Sequence, residues 1–274
     1  MKIKYFLLLI GLALALPATQ GLAQVTGRTM GGSLSTGTGS YPVGFMAGTT
    51  GTNYGIEGTA HDFSQESWVS RNDVCGTCHV PHAPAGEAQP IPLWTHAMST
   101  NSFTPFSSPQ LQSLGITIPA PLPGSVTMAC LSCHDGSVAV NQGFTSLSGT
   151  AAVNITSYNT AFQIGAGGDL SHVHPVSFSY DTAQAADPGG LNPSSGPLPS
   201  FIPNQTPGYW NPAATISKAM LTGGVAGGNM MECSSCHDVH AQIGNAAKGG
   251  LLLKISGVDT ANRGSTLCRA CHIK

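Results

Sequence analysis

Cys75-Gly76-Thr77-Cys78-His79-Val80-Pro81-His82 is the stretch on which the reading of this chain turns, because its first five residues recur in pattern three more times. The other copies are Cys130-Leu131-Ser132-Cys133-His134, Cys233-Ser234-Ser235-Cys236-His237 and Cys268-Arg269-Ala270-Cys271-His272, and together the four use all 8 cysteines. A single helical turn throws both sulfurs and the imidazole of such a motif toward one side. That is the donor set for covalent haem c attachment, in which two thiols form thioethers with the vinyl groups and the next imidazole binds iron from one face. Disulfides would explain an even number of cysteines in an exported chain, but not a histidine after each pair. A zinc ribbon built from two Cys-x-x-Cys pairs is already complete with four thiolates, which leaves the histidines idle. A thioredoxin-type motif occurs once, in a βαβ setting. The pattern therefore predicts four haem c groups, with His79, His134, His237 and His272 as proximal iron ligands.

Six of the 10 histidines remain: His61, His82, His96, His172, His174 and His240. Four irons with one open face each need four of them. His82 follows His79 by three residues, and His240 follows His237 by three, so each shares a face with its own proximal ligand and cannot reach round the porphyrin. Each can reach a neighbouring iron. This predicts close-packed haems in which the peptide of one motif serves the next. His174 precedes Pro175, which keeps it extended and limits the direction of its ring. His172 lies two residues earlier on the same side of an extended segment. Only one of these two is expected to bind iron, and His174 is preferred, with His172 an exposed or hydrogen-bonding neighbour. His61, beside Asp62, reads either as a ligand or as a loop cap. His96, behind Trp94, reads either as a ligand or as a polar residue next to a packed ring. Met128, Met230 and Met231 lie just before two of the motifs. With imidazoles in surplus, they read as packing against apolar surface.

Residues 1–23 have the layout of a cleaved secretory leader, with Lys2 and Lys4, an apolar run from Tyr5 to Leu16, then Pro17 and small residues up to Ala23. Twelve apolar residues are too few to span a bilayer, so no membrane span is expected. Residues 24–60 are rich in Gly, Thr and Ser and read as an irregular arm. Residues 61–274 carry all four motifs. Charged residues are only 8% of the chain, against about 25% in ordinary soluble domains. Gly (35) and Pro (19) are far above their usual share, and both oppose long helices, at about 1 and 3 kcal/mol each in a helix interior. Short helical turns at the motifs are expected, with further helices near 215–221 and Leu267, and short strands within 138–155. The formal charge of −2 becomes −4 once Lys2 and Lys4 are removed. Eight propionates and four ferric porphyrins of net +1 would then make a modestly acidic particle, so neither nucleic acid nor an anionic membrane is an expected partner.

Taken together, Val74 to His82 with Ala83, Pro92-Leu93-Trp94, Cys130 to Gly136, Leu170-Ser171-His172-Val173-His174-Pro175-Val176-Ser177, Cys233 to His240 and Leu267 to His272 resemble a family of multihaem cytochromes with doubled Cys-x-x-Cys-His motifs. In layout the chain is similar to the OmcE-type extracellular tetrahaem cytochromes, from about residue 61 to the end. The resemblance implies a mostly irregular multihaem fold, with short helices at the motifs, a few short strands and a core of four stacked c-type haems. It implies His61, His82, His174 and His240 as the four distal ligands, with His96 and His172 spare. It implies a homo-oligomeric filament in which one haem takes a ligand from the next subunit, and His61 is the first candidate for that crossing.

Two imidazoles per iron leave no position for a substrate, so the expected role is electron transfer and not enzyme catalysis. The leading expectation is a subunit of an extracellular filament for long-range electron transport, with redox proteins or extracellular acceptors as partners. A monomeric periplasmic tetrahaem shuttle is the alternative. A multihaem reductase with one open haem is the third reading.

Overall fold

The computed structural model describes residues 60–70, 73–80, 93–143, 146–198, 215–223, 227–240, 253–254 and 266–273, together with Ile56 and Ile91. The leader 1–23, nearly all of the arm 24–60, and His82 lie outside these residues. The description concerns the unit Gly48–Lys274.

The Gly- and Pro-rich composition is reflected in short elements. In chain order they are α1 (Pro109–Ser113), α2 (Val126–His134), β1 (Phe178–Ser179), α3 (Tyr180–Ala186), α4 (Ile216–Met220), β2 (Met230–Met231), α5 (Cys233–Cys236) and α6 (Thr266–Cys271), with single 3-10 turns at Ile155–Ser157, Thr160–Phe162 and Ala166–Gly168. Helices this short are not stable alone. Side-chain caps help to hold them. Ser125 accepts from the Met128 amide at the start of α2, Ser179 from Thr182 at α3, and Thr215 from Lys218 at α4. The helix expected near 215–221 is α4, and the one near Leu267 is α6. The two strands pair antiparallel, Phe178 opposite Met231 and Ser179 opposite Met230.

The short strands expected within 138–155 are not found among the described residues. Val138, Ala139, Val140 and Asn141 are all buried in succession, so the segment has no polar face to alternate with. It is folded as a loop around one side chain. The Asn141 amide donates to the Ala151 carbonyl at 2.7 Å, and its oxygen accepts from the Val153 amide at 2.8 Å.

Apolar side chains gather in three small groups, each touching or neighbouring a motif. Tyr180, Ile216, Met220 and Met231 pack with Ala270 and Cys271 of the fourth motif. Trp68, Val69, Val140 and Ile155 pack with Phe63 and Cys133. Met128, Leu131 and Leu170 form the third group with Phe103 and Val173. Met128, Met230 and Met231 are buried, as the surplus of histidines led one to expect.

One buried carboxyl group ties the second motif to the third. Glu232, 2% exposed and immediately ahead of Cys233, accepts from the Thr127 amide at 3.1 Å and from the Thr127 and Ser177 hydroxyls. Its own amide donates to Ser235 Oγ at 2.9 Å inside α5, while the Cys233 amide donates to Thr127 Oγ1 at 3.3 Å. The N-terminus of α2 and the start of α5 are thus joined through a single side chain. Glu232→Ala leaves the Thr127 and Ser177 donors buried without an acceptor, which should cost about 3 kcal/mol. The check is a denaturant-unfolding midpoint, and an unchanged midpoint would remove Glu232 from this role.

Candidate haem-attachment sites

Each motif is a single turn closed by a hydrogen bond from the histidine back to the first cysteine. His79 N donates to Cys75 O at 2.9 Å, His237 N to Cys233 O at 3.1 Å, and His272 N to Cys268 O at 2.9 Å. The second motif forms the last turn of α2 instead. One hydrogen bond does not hold a turn in water, and a returning segment supports each motif. The carbonyl of the second cysteine accepts a distant backbone amide in three motifs: Cys78 from Thr95 at 3.0 Å, Cys236 from Lys254 at 2.8 Å, and Cys271 from Asn192 at 2.8 Å. The histidines that follow sit in isolated bridges, His79 with Trp94, His237 with Leu253 and His272 with Leu191. In the first motif Leu93 adopts φ +58 and its carbonyl accepts from the Val80 amide at 2.7 Å. In the second motif the returning segment is 162–164, with Ile164 N donating to His134 O at 2.7 Å.

The rings at the ends of these turns meet other histidines. His134 faces His61 with centroids 6.0 Å apart, His79 faces His240 at 6.2 Å, and His272 faces His174 at 6.3 Å. A metal–imidazole nitrogen bond is about 2.0 Å and the ring centroid lies roughly 1.1 Å further out, so two rings binding one metal from opposite sides have centroids about 6.2 Å apart. Three motif histidines therefore lie at the centroid separation two such rings would have, each beside a different partner. His240 lies three residues after His237 and faces the ring of the first motif, a partner that its offset along the turn allows but does not select.

Hydrogen bonding at the other ring nitrogen matches ligand duty in two of these pairs. His134 Nδ1 bonds the Phe162 carbonyl at 2.7 Å, and His174 Nδ1 bonds the Pro175 carbonyl at 2.9 Å. A carbonyl that takes the Nδ1 proton leaves the Nε2 lone pair for a metal and fixes the ring direction. Burial lowers the His61 pKa to about 4, with further lowering from His134, His237 and His240, which keeps this ring neutral.

His61 was the expected candidate for crossing to a second subunit. Within the chain its ring lies beside His134. The cause is local packing, with Phe63 held against Trp68 at 5.7 Å and Tyr158 at 5.9 Å, and Ser64 bonded to Asp62. His172 is exposed and pairs with Asp169 at 3.6 Å. His96 is buried, 6% exposed, with its ring 5.8 Å from Trp94. His82 lies outside the described residues.

Asp135, directly after His134, is also buried. It accepts from the Ser99 hydroxyl, from Asn101 Nδ2 at 2.9 Å and from the Ser137 amide at 2.7 Å, which pins the 99–101 loop to the second motif. The structural roles of Asp135, Glu232 and the returning segments were not read from sequence. The repeated Cys-His-Asp in motifs two and three is the one signal that could have raised Asp135.

The thiols sit close across motifs. Cys130 donates to the Cys233 sulfur, which pushes the Cys130 thiol well up and draws the Cys233 thiol down. Burial raises Cys78 to about 12 and Cys133 to about 11, with Cys133 also acting on Cys78. Cys236 is raised by burial and by Cys268. Cys130 and Cys233 thus join motif two to three by a hydrogen bond, while motifs one and two, and three and four, feel each other electrostatically. Among the described residues, no three His, Cys, Asp or Glu side chains converge as a single metal would need. Haem c takes two sulfurs covalently and one imidazole on each face of its iron. The residues that would hold it are the eight cysteines and the opposed histidine pairs.

No protein-family model matches this chain, and no curated protein matches it. Also among the described residues, no helix is long and apolar enough to cross a membrane.

Gly136, two residues after His134, has φ +78, and a Cβ there would run into the Gln163 side chain. Gly136→Ala should cost about 1–2 kcal/mol from the left-handed backbone alone. A lowered thermal midpoint is the expected reading. An unchanged one would show that the turn after the second motif does not need this conformation.

Proposed function

We propose that this chain is an electron-transfer protein holding four haem c groups, each capped by imidazole on both faces, and that it works as a subunit of an extracellular filament for long-range electron transport. The observation that carries this reading is the set of three histidine pairs at 6.0, 6.2 and 6.3 Å, each built from one motif histidine and one histidine outside its own motif. The fourth pair is assigned to His237 and His82 by sequence symmetry. His82 follows the first motif as His240 follows the third, so the two motifs exchange ligands. Once bound, the haem iron supplies reversible one-electron oxidation and reduction. The protein's part is to attach, orient and space the groups. Cys75, Cys78, Cys130, Cys133, Cys233, Cys236, Cys268 and Cys271 anchor the porphyrins. The backbone carbonyls of Phe162 and Pro175 aim His134 and His174. Imidazole on both faces favours a lower potential than a His/Met pair and excludes a substrate from iron.

Assembly into a filament is supported by the low charge, which leaves little like-charge repulsion to overcome. It is also supported by Tyr158, Phe162 and Ile164, which are exposed along the segment that holds His134. Electron microscopy of the secreted protein tests this part. Filaments are expected. Dispersed particles would favour the monomeric periplasmic shuttle. Carbon monoxide binding to the native protein would favour the reductase with one open haem.

The histidine pairs make spectroscopic predictions. Intact-protein mass should exceed the polypeptide by four haems, and all four should be low-spin. His61→Ala or His174→Ala should each turn one haem of the four high-spin and leave the other three unchanged. A fully low-spin spectrum in either variant would remove that residue from the ligand set. Ring-plane angle sets the splitting of the iron orbitals. The His79–His240 pair at 25° should give a rhombic electron-paramagnetic signal, and the His174–His272 pair at 74° a strongly anisotropic one. Four identical signals would contradict the geometry.

A further inference from the structure

His96 is the buried histidine that the four ligand pairs leave over, and it stands in a row of rings that ends on the motif histidine His79. Backbone pairing starts the row. Residues 79 and 94 face each other in an antiparallel bridge, with Val80 N donating to Leu93 O at 2.7 Å and Thr95 N to Cys78 O at 3.0 Å. Directly opposed positions in such a pair bring their side chains together. The Trp94 and His79 rings accordingly meet edge to face, with centroids 6.0 Å apart and planes at 84°. The His96 ring lies 5.8 Å from that of Trp94, tilted by 43°. The row then returns to the first motif, because His96 hydrogen-bonds the Thr77 backbone between Cys75 and Cys78. Thr77 is 2% exposed and His96 6%, so this link sits inside the protein. Gly143 closes over it, since a Cβ there would collide with the Thr77 carbonyl.

A histidine ring turns easily about its last side-chain bond, where rotation is broad and roughly two-fold. Something outside the residue must fix its plane. The Phe162 and Pro175 carbonyls do so for His134 and His174. An edge-to-face contact does the same, because it is lost when either ring turns. The ring plane at stake is the one that stands 25° from His240.

We propose that Trp94 is a positioning residue that sets the plane of the His79 ring, and that His96 holds Trp94 in place from the Thr77 backbone. This rests on the four-haem reading above and on the pairing of His79 with His240. The plane of an axial ring directs the iron orbital that carries the exchanged electron. The row thus fixes the electronic orientation of one haem without touching its iron.

The test uses the haem-loaded protein and the rhombic electron-paramagnetic signal of the His79–His240 pair, identified by its loss in His240→Ala. Trp94→Leu should move that one signal toward the strongly anisotropic type and leave the other three haems unchanged. Trp94→Phe, which keeps a ring against His79, should retain it. His96→Leu should give the same change as Trp94→Leu and add nothing to it in the double variant, since both act through one contact. His96→Leu also carries the test if Trp94→Leu fails to load its haems. Lowered stability with the signal unmoved would make Trp94 a packing residue and overturn the proposal. So would an equal change in Trp94→Phe and Trp94→Leu. A high-spin haem in His96→Leu would make His96 an axial ligand and overturn it as well. Fewer than four haems in the unmodified protein would defeat the electron-transfer reading first, and this proposal with it.

Discussion

A five-residue turn closed by one hydrogen bond is too small to keep its shape, and the rest of this chain is arranged around that weakness. The bond from His79 to Cys75, repeated at His237 and His272, sets two sulfurs and a ring on one side. Nucleating such a turn fixes several dihedrals for one bond and is unfavourable alone. The chain compensates with backbone from elsewhere. Residues 94–95, 253–254 and 191–192 each lie across a motif and bond the carbonyl of its second cysteine. The first and third motifs take this support from downstream. The fourth, near the end of the sequence, takes it from upstream.

A second layer of organisation comes from two buried acids beside the motifs. Glu232 gathers donors from α2 and from Ser177, while Asp135 gathers Ser99, Asn101 and Ser137. Both do the work that a continuous apolar core does in an ordinary domain. Here the apolar side chains form three separate groups, each next to a motif. The pattern makes sense for a protein whose interior is meant to be completed by bound apolar rings.

The motifs and the short helices were legible in the sequence because both depend on residue type. Cysteine and histidine spacing is specific, Gly and Pro limit helix length, and Thr215 is a good cap. An offset of three residues said that His240 would turn away from its own motif, but not that it would meet His79. The returning segments were not legible, because backbone amides carry the contact and any residue type would serve. Val138 to Asn141 misled for a different reason. Its apolar spacing resembled a strand, but the whole run is buried and Asn141 replaces the ladder. The position of His61 beside His134 was not legible, because its segment is anchored partly by Tyr158, nearly a hundred residues away in sequence.

The pairing of His79 with His240 has a consequence for biogenesis. If the chain is exported as proposed, its N-terminal part would emerge first and the first motif would leave the membrane long before residue 240. On the proposed reading, its iron would wait half-coordinated through that interval, open to stray ligands and to oxygen. A chain truncated before His240 would then keep an open iron at the first motif where the complete one would be capped on both faces.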